Sequence, residues 1–450
     1  MTELDPRDLV DAEHGLISPQ IYSDPGLYER ELQWLFARCW LFLGHESMIA
    51  RPGDFMQMYM AEDPVIVARQ RDGSIAAFLN QCRHRGMRIC RADLGNTKAF
   101  TCSYHGWTYD LGGSLVSVPR ESDAYFHEID KSQWGPRRVP RLANYHGLLF
   151  GTWDEDAPSF EEYLGDMAWY LDSWIDRFDQ GTEVLAGAHK WVIDCNWKLP
   201  SEQFASDIYH ADFTHASATM ALAHERNQSF EEYKAMRGEG RQFSAPMGHG
   251  TGFFKAGRVP SGGLTDQVRA TWTEPARERL GDARATHVQG HNTIFPNFSF
   301  LHSARTMRVW HPRGPGQIEV WAWTCVPKGL SKEERNAFRV NAMRTFSPAG
   351  LVEQDDGDNL AEIQSVLRGY VARQSRLNVQ MGLGHSGYEA PYPGRTAHVF
   401  AEEAARAFYG RWSELVQGLP WAQLIESDRA DRERYARLAQ KAAANGSAGE

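Results

Sequence analysis

Cysteine is scarce. Six residues, Cys39, Cys82, Cys90, Cys102, Cys195 and Cys325, are scattered over a chain of 450. So few, so far apart, they exclude a disulfide framework and suit a reducing compartment. An excess of positive charge is also lacking. The formal net charge is −10, which argues against nucleic acid as the main partner. The opening MTELDPRDLVDAEHG has neither the basic nor the apolar stretch of a secretory signal. No apolar run reaches the length that spans a bilayer, and no internal repeat is present. What remains is 42% hydrophobic and 24% charged, with length for two or three domains. The expectation is a cytoplasmic globular protein without a membrane or nucleic-acid partner.

The pattern of elements changes along the chain. Asp24-Pro25 reads as an N-cap and first turn, and Leu27, Tyr28, Leu32, Leu35 and Phe36 follow on one helix face. From about residue 40 the period shortens. PVIVARQ (64–70) and IAAFLNQ (75–81) flank Asp72-Gly73-Ser74, a hairpin signal. KAFTCSY and LLFGTW are further strand-like runs, and Gly112-Gly113 marks a turn. Residues 38–157 therefore read as a small antiparallel β domain inserted in a larger one, 1–37 and 158–440. In the larger part Ser331 and Glu334 have capping-box spacing before NAFRVNAMRTF. Phe400, Ala404, Phe408, Trp412 and Val416 recur as one helix face, and TMRVWHP and QIEVWAWTCV flank a Pro/Gly turn. Hairpin-linked strands with helices outside them make the class α+β. The small, polar end, 441–450, reads as a disordered tail.

Two pairs of metal-ligand residues stand close together. Cys82-x-His84 and Cys102-x2-His105 are separated by seventeen residues, and Gly106-Trp107 follows. Structural zinc is one reading, but zinc knuckles usually pair like ligands. Here each knuckle mixes a thiolate with an imidazole. That suits a Rieske [2Fe–2S] cluster, with both cysteines on one iron and both histidines on the other. Arg83, Arg85, Arg88 and Arg91 surround the first knuckle. They read either as a solvated basic face or as a docking patch for an acidic electron donor. Cys90 reads as a core residue.

A second constellation lies in PSEQFASDIYHADFTHAS (200–217). Asp207 and His210, three apart, would share a helix face. His215 would be rotated about 140° from His210 on an ideal helix. Both histidines can bind one ion only if the helix bends or ends between them. Two histidines and a carboxylate form the facial triad of non-haem Fe(II) sites. FSPAGLVEQDDGDN (346–359) offers Asp355, Asp356 and Asp358 for the third position. GLGHSG (382–387) matches G-x-G-x-x-G, but YEAPYPG follows where a helix is needed, so a nicotinamide site is rejected there.

Together these motifs, with ISPQIYSDPGLYERELQWLFARCWLFLGHES (17–47), resemble the α subunits of the Rieske non-haem iron ring-hydroxylating oxygenases, most closely the naphthalene, biphenyl and phenylpropionate dioxygenase group. The resemblance covers nearly the whole chain. It implies a helix-grip (START-like) catalytic domain around the inserted Rieske domain. It places cluster ligands on Cys82, His84, Cys102 and His105, and Fe(II) ligands on His210, His215 and Asp356. It gives Asp207 a bridging role, from His210 to His105 of a neighbouring chain. Gln203, Phe204, Ala211, His291 and Phe346 fall on pocket positions. The implied partners are a small β subunit in an α3β3 assembly, a ferredoxin and an NADH-dependent reductase. The implied reaction adds both atoms of O2 to an aromatic ring, giving a cis-dihydrodiol. A Rieske monooxygenase or demethylase and a Rieske electron carrier are the alternatives.

Overall fold

The computed structural model describes residues 4–185, 187–225, 229, 239–255 and 263–446. The chain forms two compact units, Phe36–Ala157 and Met1–Leu35 with Pro158–Glu450.

The smaller unit is built from antiparallel strands. Asp63–Arg69 pairs with Asp54–Met60 on one side and Ile75–Leu79 on the other, and Gly73 takes a φ of 89° in the tight turn between the last two. Leu148–Thr152 lies between Arg141–Tyr145 and Leu41–His45. A third small sheet joins Phe100–Thr101, Thr108–Tyr109 and Leu115–Ser117. Its core includes Phe55, Ile66, Phe78, Phe100 and Trp107, together with Cys82 and Cys102. Cys90 is only half-buried and packs against this core from outside.

The larger unit is organised by a ten-stranded antiparallel sheet. Its longest hairpin pairs Thr306–Pro312 with Ile318–Pro327, the two runs flanking the Pro/Gly turn. Phe298–Leu301, His291–Ile294, Gly250–Phe254, Gly240–Ser244 and Tyr392–His398 continue the sheet outward. Helices cover it, so the class is α+β. The Lys332–Thr345 helix begins with a complete capping box between Ser331 and Glu334. Ala404, Phe408, Trp412 and Val416 are buried on the Glu403–Val416 helix, and Phe400 precedes it. GLGHSG lies in a turn before the strand Gly387–Glu389, with no helix after it. The expected tail over 441–450 is corrected: the last helix runs to Gly446. The run Lys441-Ala442-Ala443-Ala444 favours helix strongly enough to extend it. Residues 447–450 lie outside the described residues. No helix among the described residues is long and apolar enough to cross a membrane.

One helix, Lys198–Ser206, carries the chain into the second histidine segment. It lies directly on the sheet. Thr293 Oγ1 donates to Ser201 O at 2.8 Å. A Cβ on Gly250 would lie 2.8 Å from Ala205 O, so only glycine lets helix and strand approach this closely. Asn196 stands just before the helix, its Oδ1 accepting from Lys198 N at 3.1 Å, while its own N donates to Gln364 Oε1 at 2.9 Å. Lys198 itself is fully buried. Its Nζ meets Glu31 Oε1 at 2.5 Å. Trp412 Nε1 and Trp197 Nε1 each donate to the same carboxylate at 2.7 Å. Every polar atom of the pair is thereby answered, which offsets part of the cost of burying two charges. Lys198→Met takes the cation away from the buried Glu31 carboxyl. It is expected to destabilise this unit by about 3–5 kcal/mol, read as a lowered thermal unfolding midpoint of the holoprotein.

Candidate metal centres

The two Cys/His knuckles close in the same way. In the first, Gly86 N donates to Cys82 O at 2.9 Å and Cys82 N to Met87 O at 2.8 Å. In the second, Gly106 N donates to Cys102 O at 2.9 Å and Cys102 N to Trp107 O at 2.8 Å. Gly86 and Gly106 have φ of 76° and 74°, which the turns require. The loops thus present their ligands as a matched pair. His84 Nδ1 and His105 Nδ1 face each other at 3.0 Å, and His84 stacks on Trp107 with centroids 5.2 Å apart. The cysteines are 2% and 1% exposed, whereas both histidines are half-exposed.

Burial pushes the Cys82 thiol up, and Cys102 beside it pushes in the same direction. Two adjacent thiolates in that setting require cationic compensation, which iron supplies. Tyr109 OH lies 3.3 Å from Cys82 Sγ and accepts from Arg83 N at 3.1 Å. The residues fit a mixed-ligand cluster. The four arginines are exposed. Arg88 reaches Tyr59 OH at 2.9 Å, and Arg83 lies over the Trp134 ring.

In the larger unit the α-helix ends before both histidines, which lie in the stretch between two α-helices. The α-helix stops at Ser206 and Asp207 is its C-cap, with extended backbone. A 3₁₀ turn, Tyr209–Asp212, follows, and a new helix starts at Ala216. The expectation that Asp207 and His210 share an α-helical face is therefore corrected. They meet across the break: Asp207 Oδ1 accepts from His210 N at 3.2 Å, and its Oδ2 lies 3.1 Å from His210 Nδ1. Burial alone would favour neutral forms of both groups. The contact outweighs it, lowering the Asp207 carboxyl and raising His210.

The break turns both imidazoles inward. His210 Nε2 and His215 Nε2 are 3.3 Å apart. Asp356 Oδ1 lies 3.6 Å from the first and 3.2 Å from the second. Asp356, His210 and His215 form the metal-capable group of ligand residues found among the described residues. Asp356 Oδ1 is buried and accepts no hydrogen bond, an arrangement that is costly unless a cation completes it. A point roughly 2 Å from all three atoms exists, the distance at which a divalent ion sits from N and O ligands. The donor set is that of a facial triad. Of the three aspartates in 346–359, Asp356 points inward from the Leu351–Leu367 helix, and Asp358 is exposed. Asp355 takes a different part: its Oδ2 lies 3.3 Å from His215 Nδ1. Each imidazole is thus backed at Nδ1 by its own carboxylate, leaving Nε2 toward the ion.

The five pocket positions fall as follows. Gln203 Nε2 is 3.2 Å from His210 Nε2, and Gln203 Oε1 is buried without a hydrogen-bond partner. Phe204 and His291 meet edge to face at 5.9 Å, and Phe204 also packs on Trp310. His291 Nδ1 donates to Phe204 O at 3.1 Å. Burial pushes His291 down to about 4. Phe346 caps the Lys332–Thr345 helix, and its ring lies 5.6 Å from the Arg308 guanidinium. Ala211 is half-buried in the 3₁₀ turn beside His210. Sequence reading left Asp355 only as a rival ligand and did not consider Arg308.

Comparison with known proteins places both units in known families. Residues 39–140 match the Rieske [2Fe-2S] domain, and residues 160–418 match the ring hydroxylating alpha subunit (catalytic domain). The chain is 48% identical over 433 residues to the biphenyl 2,3-dioxygenase subunit alpha of Rhodococcus jostii (strain RHA1), covering 94% of this chain and 93% of that one. It is 46% identical over 431 residues to the benzene 1,2-dioxygenase subunit alpha of Pseudomonas putida, covering 92% and 94%. A naphthalene 1,2-dioxygenase variant bound to phenanthrene superposes with a TM-score of 0.88 at 34% identity, over 95% of this chain and 98% of the other. The chain belongs to the α subunits of the Rieske ring-hydroxylating oxygenases, oxidoreductases that carry a [2Fe–2S] cluster and a mononuclear iron.

Proposed function

We propose that this chain is the oxygenase component of a multicomponent dioxygenase acting on an uncharged aromatic ring. The reaction is arene, O2, NADH and a proton in, and cis-dihydrodiol and NAD+ out. The carrying observation is the triangle of His210 Nε2, His215 Nε2 and Asp356 Oδ1. Residues 38–157 would hold the cluster through Cys82, His84, Cys102 and His105. Residues 1–37 and 158–440 would hold the iron. When bound, the cluster supplies electrons singly and the iron activates O2 next to the ring.

The protein's own part is positioning. Asp207 and Asp355 stand at the two Nδ1 atoms, an arrangement that would fix the tautomers that leave Nε2 for the ion. Asp207 would also reach His105 of a neighbouring chain in the assembly. Gln203 brings one amide to the open side of the site, while Phe204 and Phe346 offer apolar walls. Arg308, the guanidinium over both of these rings, is ion-paired with Glu353 at 2.5 Å. Its charge is already balanced by Glu353, which favours a hydrocarbon ring such as those named for the relatives. No nicotinamide site is read in the chain, so electrons from NADH would arrive through a cytoplasmic reductase and ferredoxin. A β subunit would complete an α3β3 assembly.

Supplied with donor proteins and NADH, the holoenzyme is expected to place two atoms of labelled O2 on one product molecule. Mass spectrometry of products from an aromatic panel checks this, and a single labelled atom would assign the chain to monooxygenation instead. Metal analysis separates the three aspartates. Wild type is expected to hold about three iron atoms per chain and Asp356→Ala about two, the cluster alone. Asp355→Asn is expected to weaken iron retention by roughly 10–100-fold, and Asp358→Asn to leave it unchanged.

A further inference from the structure

Arg308 stands on the strand Thr306–Pro312 and is fully buried. Its Nη1 donates to Glu353 Oε2 at 2.5 Å. Its Nη2 donates to Phe346 O at 3.4 Å and to Thr306 Oγ1 at 3.3 Å. Phe346 is the C-cap of the Lys332–Thr345 helix, and Glu353 stands in the first turn of the Leu351–Leu367 helix. One guanidinium therefore grips both sides of the turn that joins these helices. The turn is tight: a Cβ on Gly350 would lie 2.3 Å from Thr345 O. The face of the guanidinium also lies 4.8 Å from the Phe204 ring, on the helix that ends at Asp207.

Glu353 precedes Asp356 by three residues and shares its helix face. Glu353, Asp356, Leu360, Gln364 and Leu367 are the buried residues of that helix. An apolar pair of similar volume would hold the helix at least as firmly as a buried ion pair. What the ion pair adds is direction. A slip of one residue would swing every side chain by about 100°, carrying Asp356 away from the imidazoles. A fork donating at once to Glu353 and to the Phe346 carbonyl opposes such a slip.

We infer that the Arg308–Glu353 pair is a positioning clamp that fixes the rotation of the Leu351–Leu367 helix and so holds the Asp356 carboxylate against His210 and His215. The inference rests on the reading of Asp356 as a metal ligand.

The test uses the full chain in its native assembly, cluster loaded, with Fe(II) retention measured against a chelator. In the double variant Arg308→Met with Glu353→Met no charge is left unpaired. It is expected to keep the Rieske EPR signal and a near wild-type unfolding temperature, yet to hold Fe(II) about 10–100-fold more weakly. Undiminished Fe(II) retention in that variant would overturn the clamp, since a merely structural pair would leave the folded site intact. If the double variant does not fold, Glu353→Gln carries the test. It keeps the shape and weakens the grip, and the same loss of Fe(II) retention is expected; unchanged retention again overturns the clamp. Asp356→Ala runs alongside. If it keeps its iron, the ligand reading falls. If it loses iron while the clamp variants keep theirs, the clamp alone falls.

Discussion

Two imidazoles five residues apart cannot meet one ion from an uninterrupted α-helix, because each residue advances by about 100°. The larger unit is arranged around that constraint. The helix is ended at Ser206, and the next one is delayed until Ala216. A break of this kind exposes backbone groups and loosens the chain, so its surroundings must hold it. Asp207 takes the His210 amide and backs its ring. The preceding helix is pinned by the Lys198–Glu31 pair and lies directly on Gly250. The carboxylate arrives from a separate helix, which Gln364 ties to the start of the first through Asn196.

The smaller unit solves a similar problem by repetition. Two loops with matching hydrogen bonds and matching left-handed glycines each present one thiol and one imidazole. The thiols lie inside the core, and the imidazoles reach the edge of the unit. In both units the Cys and His side chains are placed by backbone geometry close in sequence, whereas Asp356 comes from a separate helix. The supporting contacts come from far away.

That division explains what could be read from the chain. The cluster knuckles, the D-x2-H-x4-H segment and the aspartate run are short motifs, and their chemistry follows from spacing. The β hairpins, the capping box at Ser331 and the core face ending at Val416 were also local, and the α+β class follows from them. Other features were not legible. Glu31 and Lys198 are 167 residues apart, and Arg308 and Glu353 are 45 apart. No periodicity announces such pairs. Asp355 looked like a rival of Asp356 because neighbours on a helix differ by direction, which sequence does not display. The polar end reads as a tail because its composition masks the helix propensity of its alanines.

The contact at Gly250 also bears on how such a site diverges. A helix resting on bare backbone has no slack toward the sheet, so the iron-bearing segment is not easily shifted to admit a bulkier ring. In the site as proposed, room would come from trimming side chains such as Phe204 or Phe346, while the scaffold stays put. New specificities in this lineage are then a matter of reshaping walls around a stationary metal.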